Sequence, residues 1–193
     1  QEPSSADKQS KTSAMSYSDL TDRILEETGI SKVENKGDST VIAIIDNEFD
    51  LSHEFISTPS SEASYRLSAE DIGTVAPYLS ADSDNGSNYY YNEKIPFRFN
   101  YENHNSDTSI DYKNNPNDFH GNHVEGIAAG NGNAETDDKY NAKGAAPNAQ
   151  LLLMSSYNLC YYALLAAFDD CTYLGACLLY TSPSPRDAHE YRM

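Results

Sequence analysis

The stretch Val41-Ile42-Ala43-Ile44-Ile45-Asp46 decides the fold. Its apolar residues are mostly β-branched and show no polar alternation, as in a central strand of a parallel sheet covered by helices on both faces. The run ends on a carboxylate, which puts Asp46 at the carboxyl edge of the sheet, where open α/β sheets build their sites. Gln150-Leu151-Leu152-Leu153-Met154 reads as a second buried strand. Residues 121–129 carry Val124 and Ile127 on one side of a helix. Tyr161 to Leu174 reads as an amphipathic helix with Leu164, Leu165, Phe168 and Cys171 toward the sheet and Gly175 ending it. Strand, helix, strand, helix in this order predicts an α/β fold with a parallel sheet and helices on both faces.

Upstream of the first strand, residues 1–17 form a polar, Ser/Lys-rich lead-in too poor in apolar residues to fold alone. Ser18 is placed to cap a short helix carrying Leu20, Ile24 and Leu25, with Gly29 as its stop. Residues 1–37 are thus read as a propeptide or linker remnant, and Gly37-Asp38 turns the chain into a domain spanning 38–176. From about 57 to 116 the chain is rich in Ser, Asn, Asp and Tyr and reads as a long surface insertion. A brief helix is expected from Ser68-Ala69-Glu70-Asp71 and a short strand at Phe97-Arg98-Phe99. Residues 133–143 are expected to form a polar loop.

The 193 residues suit one domain. Thirteen Lys and Arg against 30 Asp and Glu give a net charge of -17. That charge repels phosphates and anionic headgroups, which excludes nucleic acid as a partner, and it keeps a protein soluble. The 15 Tyr without Trp look like a habit of composition. Cys160, Cys171 and Cys177 fit neither a zinc spacing nor a disulfide framework. No apolar run approaches the roughly 18 residues of a membrane span.

The second chemical motif is His120-Gly121-Asn122-His123-Val124-Glu125-Gly126. It sets an imidazole at a helix start, next to a glycine that lets backbone pass closely. Taken singly, Asp46 could merely open a turn and His120 could be structural. Taken together, they supply the base and the orienting carboxylate of an acyl-transfer triad. His123 is read as a packing residue. A metal alternative would draw on Asp118, His120, His123 and Glu125, but the chain has no H-E-x-x-H, and no metal ligand is assigned.

Ile44-Ile45-Asp46-Asn47-Glu48-Phe49-Asp50 with His53 resembles the Asp motif of the subtilisin-like serine proteases. Phe119-His120-Gly121-Asn122-His123-Val124 with Gly126 resembles their His motif, and Gly144-Ala145-Ala146-Pro147-Asn148-Ala149 the segment after it. The 74 residues from Asp46 to His120 are similar to the bacterial cell-envelope proteinases, the lactocepin and C5a peptidase group. The resemblance implies a secreted serine endopeptidase, extracellular or attached to the cell wall, monomeric when intact and acting on protein or peptide. It makes Asp46 the orienting carboxylate and His120 the general base. It implies no cofactor and leaves calcium open for the intact parent, with no site assigned here. The family's usual calcium carboxylate falls at Phe55 in this chain. Three departures stand out: Glu48 replaces a usual Gly, Asn122 a Thr, and Glu125 an Ala or Ser. They keep in view a pseudoprotease, a subtilase scaffold that binds peptide without cutting.

The resemblance ends near Ala176. Cys177-Leu178-Leu179-Tyr180-Thr181-Ser182-Pro183-Ser184-Pro185-Arg186-Asp187 is similar to the translation of a transposase-type sequencing adaptor, so residues 177–193 are expected to be foreign to the protein. Subtilases order their triad Asp, His, Ser. After His120 the candidates Ser155, Ser156, Ser182 and Ser184 lack a Gly-x-Ser setting. The nucleophile is expected to be absent from this chain and the fragment to be inactive.

Overall fold

The computed structural model describes residues 16–82, 88–110, 119–132, 142–156 and 161–181. Asp118, Cys160, Ser182, Ser184, most of the lead-in and most of the 133–143 loop lie outside them. Four strands form one parallel sheet: β1 (Val41–Asp46), β2 (Phe97–Asn100), β3 (Gln150–Ser155) and β4 (Leu178–Thr181). Their order is β2-β3-β1-β4, with β1 aligned to β3 so that Asp46 lies beside Ser155. Every residue of β1 and β3 is buried, as the unbroken apolar runs require. The period-two alternation divides them between two faces. Val41, Ala43, Ile45, Leu152 and Met154 pack on one side with Ala163, Ala167 and Cys171. On the other side Ile42, Ile44, Leu151 and Leu153 pack with Phe49 and Ala129.

The helices are α1 (Tyr17–Glu27), α2 (Ala69–Val75), α3 (His120–Ala129) and α4 (Tyr161–Tyr173). The cap of α1 is Ser16, two residues before the expected Ser18. Its side chain accepts from the backbone N–H of Asp19, which reaches back to close a capping box. Ser68 caps α2 in the same way through Asp71.

The 57–116 stretch is more than surface. It supplies β2 and the buried side chains of Ile72, Leu79, Tyr89, Ile95, Phe97, Phe99 and Tyr101. Tyr89, Phe97, Phe99 and Tyr101 form a run of stacked and edge-on rings, so these tyrosines are core rather than compositional habit. Ile95, Phe97, Phe99 and Tyr101 alternate as a strand does, whereas Ile72 and Leu79 stand apart in a polar stretch and carry no such signal.

The buried stripe of α4 is Ala163, Ala167, Asp170 and Cys171, with Leu174 just beyond. Leu164 packs at its margin, whereas Leu165 and Phe168 face outward at 46% and 40% exposure, against expectation. Small residues let α4 approach the sheet, and the buried Asp170 is admitted because its carboxylate is satisfied. It accepts from the backbone N–H groups of Ser80 and Ala81 at 2.6 and 3.1 Å and from the Tyr101 hydroxyl at 2.8 Å. On α3, Ile127 also points outward, at 62% exposure, and Glu125 takes the inward position. Asp170→Ala would strand the buried Ala81 N–H and the buried Tyr101 hydroxyl and free the N–H of exposed Ser80. It is expected to cost about 2–3 kcal/mol of stability, read as a lowered midpoint in urea unfolding.

Candidate active site

Asp46 ends β1 with its side chain 3% exposed, and His120 opens α3 with its side chain 51% exposed. Although 74 residues apart, they meet: His120 Nδ1 lies 2.8 Å from Asp46 Oδ2. The other carboxylate oxygen accepts from the backbone N–H of Asn47 at 2.8 Å, so both oxygens are held. A carboxylate against Nδ1 fixes the proton on that nitrogen and makes Nε2 the basic one. A rigid buried acid carrying a half-exposed imidazole can take up a proton from a group brought to Nε2.

The segment after β1 and the first turn of α3 hold this contact together. A side chain at Gly121 would come within 2.4 Å of the Glu48 carbonyl oxygen and 3.0 Å of the Phe49 ring, so only glycine lets α3 approach this closely. Asn122 clamps the same segment from the next position. Its Oδ1 accepts from the Asp50 N–H at 2.8 Å and its Nδ2 donates to the Asp50 carbonyl at 3.4 Å. Below them, Ser156 N–H donates to the Asp46 carbonyl at 2.9 Å, and the Ser155 hydroxyl donates to that of Asn47. At the far end of α3, the N–H groups of Ala145 and Ala146 donate to the carbonyls of Ile127 and Ala128, both at 2.9 Å. The Gly144–Ala146 motif thus satisfies carbonyls that a helix end leaves unpaired.

Each departure in the two motifs acquires a place. Glu48 is not among the described residues with positive φ, so replacing a glycine there carries no backbone strain. Asn122 is the clamp just described. Glu125 is buried at 1% exposure, and burial pushes its carboxyl well above the usual range, with Asp50 and Asp46 adding to the effect and Lys94 opposing it. His123 is exposed rather than packed in the core. With His53, Phe55, Phe119 and Ile127 it lines a cavity of about 560 Å³ on the outer face of α3. The ring of Phe55 meets His53 edge-on at 4.7 Å. Among the described residues no three His, Cys, Asp or Glu side chains converge as a metal site would require. Of the serines weighed as nucleophile, Ser155 and Ser156 are fully buried. Lys94, which no pattern in its surroundings singled out, is also fully buried, its Nζ donating to the Pro147 and Ala149 carbonyls at 2.7 and 2.6 Å.

The profile of peptidase S8, the subtilase family, matches residues 37–167. The chain belongs to the subtilase family. Among curated relatives, a C5a peptidase of Streptococcus pyogenes serotype M3 is 36% identical over 146 residues, covering 74% of this chain and 11% of the relative. A PII-type proteinase of Lactococcus lactis subsp. cremoris is 31% identical over 156 residues, covering 77% and 8%. A PI-type proteinase of the same organism matches to the same extent. This subtilase chain therefore spans about a tenth of the length of those relatives.

Gly121→Ala in this subtilase chain forces α3 away from the Glu48 carbonyl. The expected loss is about 1–3 kcal/mol in urea unfolding. It should be accompanied by loss of the His120–Asp46 contact, seen as a changed His120 ring resonance.

Proposed function

We propose that this chain is part of the catalytic domain of a serine endopeptidase that hydrolyses peptide bonds in protein substrates outside the cell, at or near the cell wall. The observation that carries this reading is the 2.8 Å contact between His120 Nδ1 and Asp46 Oδ2 in a chain of the subtilase family. In this reading His120 Nε2 takes the proton from a serine hydroxyl as it attacks the scissile carbonyl, then returns it to the leaving amine. Asp46 holds the tautomer and stabilises the imidazolium formed in between. The similarity to a C5a peptidase and to PI- and PII-type proteinases supports the extracellular assignment.

The nucleophile belongs to a part of the protein beyond residue 176, and residues 177–193 are foreign to it. The side chains of β4 fit that assignment. Leu178, Leu179 and Tyr180 are 57%, 38% and 40% exposed, unlike the buried residues of β1 and β3. Backbone pairing with β1 makes little demand on side-chain identity, so a foreign strand can occupy that edge. The chain as it stands, with His120 and Asp46 but without the serine, does not cleave peptides. A peptide-binding scaffold without turnover is the second reading, favoured by the ionisable Glu125 buried in the same helix that carries His120.

Genomic sequence read past the Ala176 codon tests the assignment: it is expected to diverge from residues 177–193 and to encode a Gly-flanked serine downstream. In the intact enzyme His120→Ala is expected to lower turnover on the order of 10⁶-fold and Asp46→Asn on the order of 10⁴-fold, magnitudes carried over from other serine-protease triads. An intact protein that binds peptides but leaves them uncut would favour the scaffold instead.

A further inference from the structure

The face of α3 that packs on the sheet carries Gly121, Glu125 and Ala129 at four-residue spacing. Two small residues flank a carboxylate in the middle of an apolar layer formed by Ile42, Ile44, Leu151 and Leu153. Both Glu125 oxygens are buried and have no hydrogen-bond partner among the described residues. An ionised carboxylate is not held in such a place without compensation. The charged groups acting on it come from two directions. Asp46 and Asp50, at and after the end of β1, oppose its ionisation, and Lys94, from the turn before β2, favours it. On its own helix, His120 is tied to Asp46 and His123 faces outward.

Lys94 favours ionisation of Glu125 without a direct hydrogen bond or ion pair between them. Its amine is fixed by the Pro147 and Ala149 carbonyls, which accept from a neutral amine as well as from an ammonium. Its own backbone carbonyl accepts from the Leu151 N–H at 2.8 Å, which ties the turn to β3. Burial brings the ammonium down to about 7, against the pull of Glu125.

We propose that Glu125 is seated as a neutral carboxyl beneath α3, with Lys94 acting on it without direct contact, so that the seating of the helix that carries His120 depends on pH. With its proton in place the Glu125 carboxyl is neutral and fits the apolar layer. When that proton is lost, a bare carboxylate remains beside Asp46 and Asp50 in an apolar layer, and α3 is pushed from the sheet. The inference concerns the folded chain itself and stands apart from whether the intact protein cleaves peptides.

The linkage has a definite sign. Glu125 is raised above its unfolded value of 4.5, so its contribution is fully present below that pH and is lost as pH rises through the folded value. Lys94 acts oppositely, stability rising with pH between about 7 and 10.5. Comparison with Glu125→Gln isolates the first contribution. Urea unfolding of the full 193-residue chain and of E125Q is measured at pH 5 and pH 8. The ratio of their unfolding constants, wild type over E125Q, is expected to rise at least about tenfold between the two, since each pH unit of separation contributes up to tenfold. A ratio constant within about twofold would overturn the proposal. Should E125Q not fold, the Glu125 side-chain ¹³C resonance is titrated in the wild type and in Lys94→Met. A wild-type midpoint well above 4.5 that climbs further in K94M supports the neutral carboxyl and its coupling to Lys94. A midpoint at the ordinary carboxylate value, or one indifferent to Lys94, rejects it.

Discussion

The close approach of α3 to the carboxyl end of β1 is the constraint on which the rest of this structure depends. A catalytic-type pair needs a few tenths of an ångström of precision between side chains supplied by distant parts of the chain. Here the precision comes from backbone. Gly121 rests against the Glu48 carbonyl, Asn122 grips Asp50 at both N–H and C=O, and the end of β3 fastens the carbonyls of Asp46 and Asn47. Once those contacts are made, His120 Nδ1 can only fall near Asp46 Oδ2. The sheet contributes rigidity, because β1 is paired along its whole length with β3 and covered on both faces.

The cost of that approach is visible one turn further along the helix. Pressing α3 onto the sheet buries whatever side chain stands four residues after Gly121, and here it is Glu125. An acid in that position sits among Asp46, Asp50 and Lys94, so the electrostatics of the dyad and of the helix seat are joined. The same arrangement that orients an imidazole thereby gives the helix a dependence on proton concentration.

Much of this was legible in the amino-acid sequence, for identifiable reasons. β1 and β3 are buried on both faces, so their apolar runs were unbroken and their bounds fell within a residue of Val41–Asp46 and Gln150–Ser155. The helix expected at 121–129 matches α3 except for its first residue, His120, and the meeting of His120 with Asp46 followed from the paired motifs. Helix faces were harder. In α4 the large residues Leu165 and Phe168 suggested the inward side, but Ala163 and Ala167 occupy it. Apolar size is a poor guide where a helix must come close to a sheet. Most of the 57–116 stretch looked like surface because Ile72 and Leu79 are isolated among polar residues, and only the cluster they join with β2 and α4 shows why they are needed. Lys94 and Asp170 were invisible for a related reason: a buried charge is admitted by carbonyls and N–H groups far away in sequence, and no local pattern reports those partners.

The tautomer of the His120 ring, read by ¹⁵N NMR in the wild-type chain and in Asp46→Ala, tests the account most directly. The account predicts a proton on Nδ1, held by Asp46, in the wild type, and a mixture of tautomers once the Asp46 carboxylate is gone. A ring that carries its proton on Nε2, or that gives the same spectrum in both proteins, would contradict it.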